Sequence, residues 1–307
     1  MIEIKHITKK FHNKNTFVTA NSDISFTIGD GQIYGILGQN GSGKTTLISQ
    51  ITGLYKIEEG DILIDGKSVR KNPKLGRTAC AVQVQGQLSF GELTPRKVVS
   101  LMGEFRGGKP EVVRQETERL FQALAIEEWA DKAGSLLSGG VKRLTAFCMA
   151  AVCPGKYIIL DEPTNDVDPV RRKYLWQEIR RLAGQGCSVV VVTHNILELE
   201  NVVDTVAIIN DGLLVSEGAI EEIKRHIGNE LKFRLFLTEN AATLPLPDWT
   251  TTAVCKEEIL TLSISPSLIT EAVSWAKALI KQELALNYSL TEATLEDAYI
   301  NLIEKGA

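Results

Sequence analysis

The sequence predicts an α/β protein in which a largely parallel sheet is covered by helices, followed by a small C-terminal α+β domain. Three observations carry this expectation. Short apolar runs alternate with helix-like stretches through the first two thirds of the chain. Two of the runs, Tyr157-Ile-Ile-Leu and Val189-Val-Val-Val, are continuous rather than alternating, as in parallel strands buried on both faces. The pattern then changes past a polar break at Gly228-Asn229.

In chain order, β-branched and apolar runs place strands at Ile2 to Ile7, Ile24 to Ile28, Gln32 to Leu37, Ala79 to Val84, Tyr157 to Leu160, Ser188 to Val192, Val206 to Ile209 and Leu213 to Glu217. A 3.6-residue period places helices at Lys44 to Ile51, Glu111 to Leu124, Pro169 to Leu182 and Ile220 to Arg225. These elements form an expected first domain over residues 1–225. The second domain, residues 229–307, has strand-like segments at Leu231 to Leu237, Ile259 to Ile264 and Leu284 to Leu290. Between them a helix begins at Ser265-Pro266, an N-cap type followed by proline at the first helical position. A last helix, Leu295 to Ile303, opens on Thr294-Leu-Glu-Asp297, which resembles a capping box with Asp in place of Glu.

Composition narrows the function classes. The chain has 307 residues, 44% hydrophobic, with 34 Lys+Arg against 38 Asp+Glu and a formal net charge of -4. That apolar share supports a sizeable core, and length at about 150 residues per domain suggests two domains. Disorder, collagen-like repetition and a disulfide-stapled scaffold are excluded. Coating nucleic acid or an anionic bilayer by charge needs an excess of Lys and Arg that is absent, so no nucleic-acid partner is expected. The basic stretch Lys67, Arg70, Lys71, Lys74 and Arg77 reads as a solvated surface loop. Five scattered cysteines, without Cys-x-x-Cys spacing, fit a reducing cytosol and give no zinc site. The N-terminus does not read as a secretory signal, and no apolar run approaches the roughly 20 residues of a membrane span, so membrane contact is expected only through a partner.

Two chemical motifs lie at the ends of the predicted strands. Gly38-Gln39-Asn40-Gly41-Ser42-Gly43-Lys44-Thr45 follows the strand Gln32 to Leu37 and opens a helix, which satisfies G-x-x-x-x-G-K-[ST] in its strand–loop–helix context. The glycines let backbone N–H groups converge on a phosphate, Lys44 reaches the β and γ oxygens, and Thr45, followed by Thr46, can ligate Mg²⁺. Farther on, Tyr157-Ile-Ile-Leu-Asp161-Glu162 is a buried strand ending in two carboxylates. Asp161 could hold Mg²⁺ through water beside the phosphate loop, and Glu162 could polarise the attacking water. Between these motifs Leu137-Ser138-Gly139-Gly140-Val141-Lys142-Arg143 precedes a helix running to Val152, and Ser138 with two glycine N–H groups makes a second anion-binding device.

With these motifs the chain resembles the nucleotide-binding subunits of ATP-binding cassette (ABC) transporters, whose signature is Leu-Ser-Gly-Gly-Gln. The resemblance covers residues 1 to about 225. It implies a P-loop ATPase with a mixed sheet core, an antiparallel β subdomain and a helical signature subdomain, using ATP and Mg²⁺. It also implies a head-to-tail dimer with an identical or homologous ATPase subunit, because the signature of one subunit closes over the γ-phosphate held by the other. Residue by residue, His194 matches the switch histidine. Asp168, in Asn165-Asp-Val-Asp, matches the D-loop aspartate, with Asp166 standing where a small residue is usual. Val141 replaces the signature glutamine, and Phe11 occupies the place of the aromatic that stacks on adenine. Gln83, Gln85 and Gln87 alternate along one stretch; counting back from Leu93-Thr94 selects Gln85 as the Mg²⁺-sensing glutamine, with Gln83 as the alternative.

The runs Val82-Gln-Val-Gln85, Thr193-His-Asn-Ile-Leu-Glu-Leu-Glu200 and Leu295-Glu-Asp-Ala-Tyr look like those of ABC-2-type exporter ATPases of the daunorubicin-resistance kind. That resemblance implies a peripheral subunit on the cytoplasmic face of the membrane, driving separate transmembrane permease subunits through the surface around Gln85 to Thr94. An importer ATPase and an ATPase of this fold that moves no solute are the alternatives.

Overall fold

The structure is a computed structural model that describes residues 1–13, 16–86, 89–225, 231–238, 244, 246–250 and 252–305. It divides into two compact units, Met1–Ile220 and Glu221–Ala307. The expected helix Ile220 to Arg225 straddles that division, and the expected break at Gly228-Asn229 lies outside the described residues.

The first unit runs β1 (Ile2–Asn13), β2 (Thr16–Ile28), β3 (Ile33–Leu37), α1 (Lys44–Ile51), β4 (Glu59–Ile64), β5 (Lys67–Ser68), α2 (Lys74–Ala79), β6 (Cys80–Gln83), α3 (Pro95–Phe105), α4 (Pro110–Ala123), α5 (Gly139–Ala151), β7 (Tyr157–Asp161), α6 (Pro169–Gly184), β8 (Ser188–Thr193), α7 (Ile196–Leu199), β9 (Thr205–Asn210) and β10 (Leu213–Gly218). A six-stranded sheet has the order β10-β9-β3-β8-β7-β6. All its pairs are parallel except β10 with β9. Every residue of β3, β7 and β8 is buried, which is why those strands read as unbroken apolar runs. The second sheet, β2-β1-β4-β5, is antiparallel throughout. The alternate isoleucines of β1 (Ile2, Ile4) and of β2 (Ile24, Ile28) turn into the core shared with Tyr34, Ile36, Val190 and Val192 of the first sheet. Helices α3, α4 and α5 pack on one another as a helical subdomain. An ion cluster joins α4 to α6: Arg119 donates to Glu116 and Glu178, and Arg181 donates to both carboxylates as well.

Several elements depart from the sequence expectation. The strand β4 and the short helix α2 are additional. The helix α2 carries Gly76 and little apolar periodicity, and it sits where a Cβ on Gly76 would meet the Ile51 carbonyl oxygen at 2.3 Å, so tertiary contact rather than propensity places it. The basic stretch is accordingly not a plain solvated loop. Arg70 donates to the carbonyls of Gly60 and Glu58, and Arg77 to that of Gly53. The helix α3 opens where Thr94 accepts a hydrogen bond from Lys97 N and Pro95 takes the first turn.

The second unit contains β11 (Leu231–Leu237), β12 (Thr252–Lys256), β13 (Ile259–Ile264), α9 (Ile269–Lys281), β14 (Ala285–Glu292) and α10 (Leu295–Lys305), preceded by α8 (Ile220–Arg225). Its four strands form an antiparallel sheet in the order β12-β13-β11-β14. Phe233, Leu235 and Leu262 pack against Ala272 and Ala276 of α9. Ser265 caps a single 3-10 turn at Pro266–Leu268 that leads into α9. The capping box closes in both directions: Thr294 N donates to Asp297 Oδ2 at 2.9 Å, and Asp297 N donates to Thr294 Oγ1 at 3.2 Å.

Candidate functional site

The loop after β3 is held in a conformation that only its glycines permit. Gly43 has φ 102, and a Cβ there would meet the Ala20 carbonyl oxygen at 2.1 Å; at Gly38 a Cβ would meet the Ile209 oxygen at 2.2 Å. Gly41 also takes a left-handed φ of 85. Lys44, at the start of α1, is buried and donates to the carbonyls of Gly38 at 2.7 Å and Gln39 at 2.9 Å. The ammonium thus spans the loop from inside. Ser42 Oγ is buried without a hydrogen-bond partner. A cavity of about 260 Å³ opens over this loop, lined by Asn40, Gly41, Gly43, Lys44, Thr45, Thr46, Gln85, Asp161 and Glu162 together with Ala20.

The two carboxylates enter that cavity from the C-terminal end of β7. Glu162 takes a left-handed φ of 50 and its amide donates to the Val192 carbonyl on β8. Its buried carboxylate is held on both oxygens. Thr193 Oγ1 donates to Oε2 at 2.8 Å, while His194 approaches Oε1 with its backbone N–H at 3.1 Å and with Nδ1 at 2.6 Å. The imidazole remains about half exposed, so the pair joins a fixed carboxylate to a ring that solvent or a ligand can reach. Burial pushes the Asp161 carboxyl up to about 6, and the neighbouring Glu162 charge adds to that rise against the opposing charges of Lys44 and Arg143. Burial also lowers the Lys44 ammonium below the usual lysine range, opposed by the Glu162 and Asp161 carboxylates.

Gln85 lines the cavity, whereas Gln83 points inward: its Nε2 donates to the Arg143 carbonyl at 3.4 Å and its buried Oε1 has no partner. Gln87 lies outside the described residues. Arg143, one turn into α5, donates to the carbonyls of Val84 at 3.2 Å and Gln85 at 2.7 Å, tying the signature helix to the glutamine segment. Neither Arg143 nor Thr193 is a site residue on the sequence reading. The available signals were an Arg beside Lys142 in the first turns of a helix that is apolar farther on, and a Thr closing the valine run of β8.

Ser138, Gly139 and Gly140 stand apart from this cavity. Ser138 caps α5 by accepting from Val141 N, and a Cβ on Gly140 would meet the Asp166 carbonyl oxygen at 2.5 Å. Val141 is buried in its own subunit. Asp166 has φ 64, the left-handed region that favours glycine and that Asp tolerates, which accounts for a small residue being usual there. Asp168 caps α6 through the amides of Val170 and Arg171 and pairs with Arg171 at 3.0 Å. Phe11 is 36% exposed and meets Tyr55 edge-on with ring centroids 5.7 Å apart; it does not line the phosphate-loop cavity.

The donor set suits a divalent cation that takes most of its ligands from elsewhere. The cavity offers the Thr45 hydroxyl, the Gln85 amide and the Asp161 carboxyl, and among the described residues no group of three His, Cys, Asp or Glu side chains could hold a metal. A hard cation such as Mg²⁺ accepts this arrangement when substrate phosphates and water complete its shell. The raised Asp161 carboxyl, beside a second buried carboxylate, is a charge that a cation would neutralise.

Comparison with known proteins agrees with this geometry. The ABC transporter family profile matches residues 21–165. The Nod factor export ATP-binding protein I of Burkholderia lata is 30% identical over 218 residues, covering 71% of this chain and 70% of that protein. Its namesake from Burkholderia orbicola is 28% identical over 307 residues, covering 98% of this chain and 96% of that protein, so the likeness extends through the second unit. A dimeric ATP-binding cassette solved in a post-hydrolysis state with ADP and Pi superposes with a TM-score of 0.66 at 25% identity, over 71% of this chain and 98% of the other. The chain belongs to the ABC transporter family, as one of its ATP-binding, ATP-hydrolysing cassettes.

Proposed function

We propose that two copies of this cassette, or one copy and a homologue, close head-to-tail around two ATP molecules and drive separate permease subunits of an ABC-2-type exporter. The observation that carries the hydrolytic part is the placement of Glu162 and Lys44 in one cavity, with the Glu162 carboxylate fixed by Thr193 and His194. On this reading the loop amides and Lys44 hold the β- and γ-phosphates and stabilise charge spreading over the γ oxygens. Glu162 accepts the proton of the attacking water as its oxygen bonds to the γ-phosphorus and the bond to the ADP oxygen breaks. His194 orients that water or the γ-phosphate from the exposed side. Thr45, Gln85 and Asp161 would hold Mg²⁺, which would supply positive charge to offset that of the phosphates. Ser138, Gly139 and Gly140 would serve the partner's nucleotide, which fits their distance from this chain's own cavity. Asp168 faces the partner, and Phe11 with Tyr55 beside it supplies an aromatic surface for adenine.

The export assignment is supported by the two Nod factor export relatives, one of them matched over nearly the full length of both chains. A permease contact is supported by a groove of about 500 Å³ in which Leu54, Val82, Met102 and Phe105 stand beside Arg77 and Arg106, with Phe105 88% exposed; no residue of the expected Gln85 to Thr94 surface lines it. Among the described residues no helix is long and apolar enough to cross a membrane, so attachment to the cytoplasmic face would run through protein contacts. The test is purification of the full chain from its native membranes. The reading expects Mg-ATP hydrolysis that Lys44→Ala abolishes, and a co-purifying multi-span protein without a solute-binding protein. Recovery with ribosomes or DNA, or with a solute-binding protein, would overturn the export assignment.

A further inference from the structure

We propose that Arg172 and Glu198 form a positioning brace that ties the D-loop backbone to the switch-histidine segment, so that movement of the D-loop reaches Glu162 and His194. The brace is a continuous run of polar contacts. Arg172, in the first turn of α6, donates from Nη2 to the carbonyl of Val167, which lies between Asp166 and Asp168, at 3.0 Å. Its Nη1 lies 2.8 Å from Glu198 Oε1 on α7. The same Oε1 accepts from Asn195 Nδ2 at 2.7 Å. Asn195 N then donates to Thr193 Oγ1 at 3.0 Å, and that hydroxyl donates to Glu162 Oε2 at 2.8 Å. The path therefore runs from the segment expected to face a partner subunit to the carboxylate expected to accept the water proton, through residues that do not themselves line the phosphate-loop cavity.

Two features distinguish this arrangement from a surface ion pair. Glu198 is 12% exposed and Arg172 35% exposed, so solvent screens the pair only in part. Glu198 Oε2 and Arg172 Nε are moreover buried without partners. Each side chain keeps one buried polar atom unmatched, so the pair is held on one side only. Arg172 and Glu198 thus act through Val167 and Asn195 rather than on the nucleotide. The proposal rests on the reading of Glu162 and His194 as the hydrolytic pair.

The test compares Arg172→Ala, Arg172→Lys, Glu198→Gln and Glu162→Gln in the full chain, reading steady-state Mg-ATP hydrolysis, its Hill coefficient and the thermal midpoint. The brace predicts that Arg172→Ala and Glu198→Gln lower kcat about 5- to 20-fold, move the Hill coefficient toward one, and leave KM for ATP within about twofold, as expected when a group acts after binding. Arg172→Lys should recover part of kcat, because it keeps the charge facing Glu198 but loses the fork to Val167. A lowered thermal midpoint with kcat and Hill coefficient unchanged would make the pair a structural contact only and overturn the proposal. If Arg172→Ala does not fold, Glu198→Gln and Arg172→Lys decide by the same readouts. Retained turnover in Glu162→Gln would instead sink the underlying reading, and a silent Arg172→Ala beside an inactive Glu162→Gln sinks the brace alone.

Discussion

Replacing Asp161 by Asn should make the metal-free protein more stable while removing its Mg²⁺-dependent turnover. The carboxyl is almost wholly buried at the end of β7 beside Glu162, and its pKa is raised from 3.8 to about 6. At about 1.4 kcal/mol per pH unit, holding it ionised in the folded state near neutral pH costs about 3 kcal/mol, an upper bound for a site that can relax or admit water. The folded state binds the proton more tightly than the unfolded chain. Wild-type stability from this group is therefore highest near pH 4, falls as pH rises toward 6, and is level above that. The isosteric amide has no such dependence. In EDTA, denaturant unfolding should show the two proteins alike near pH 4 and Asp161→Asn more stable by ~2–3 kcal/mol near pH 7. Adding Mg-ATP should reverse the order, because only the wild type gains a cation ligand, and Asp161→Asn should lose on the order of 10²-fold in kcat. A variant no more stable than wild type near neutral pH in EDTA would refute the reasoning that burial and the Glu162 charge strain this carboxylate.

Three further outcomes follow from particular contacts. Gly43→Ala forces a Cβ to 2.1 Å from the Ala20 carbonyl at a φ of 102, so it should cost at least ~2 kcal/mol and abolish ATP binding, read by denaturant unfolding and nucleotide titration. Burial works to raise the Glu178 carboxyl, but its hydrogen bonds from Arg119 and Arg181 outweigh this and hold it below its ordinary 4.5. Glu178→Gln should therefore cost ~2 kcal/mol near pH 7, a deficit that closes as pH falls through the lowered value and wild type protonates; unfolding curves at the two pH values check this. Gln85→Ala should raise the Mg²⁺ concentration needed for half-maximal hydrolysis about tenfold, whereas Gln83→Ala, which faces Arg143, should act mainly on stability.

The parts of this protein legible in its sequence are those whose chemistry sits within a few residues. The phosphate loop, the Asp161-Glu162 strand end and the Ser138 cap each combine donors, glycines and an adjoining element at fixed spacing, and the structure gives each that local form. The unbroken burial of β7 and β8 likewise follows from their residues. Interactions between distant segments were not legible. Arg143 reaches Gln85 across 58 positions, and Arg119 reaches Glu178 across 59, with no local signal to pair them. The helix α2 is set by its fit against the end of α1. Alternation alone leaves Gln83 and Gln85 on one strand face; counting back from Leu93-Thr94 favours Gln85, and β6 ends at Gln83, so that Gln85 lies beyond the strand and lines the phosphate-loop cavity.

The central claim is that Glu162 activates water in a cassette that must dimerise around ATP, and Glu162→Gln tests it most directly. Light scattering of the purified variant with ATP and Mg²⁺, alongside phosphate release, should show a species of about twice the mass of the nucleotide-free protein and turnover reduced at least ~100-fold. Turnover at the wild-type rate would contradict the account, and a variant that binds ATP yet stays monomeric would overturn the pairing of two identical copies.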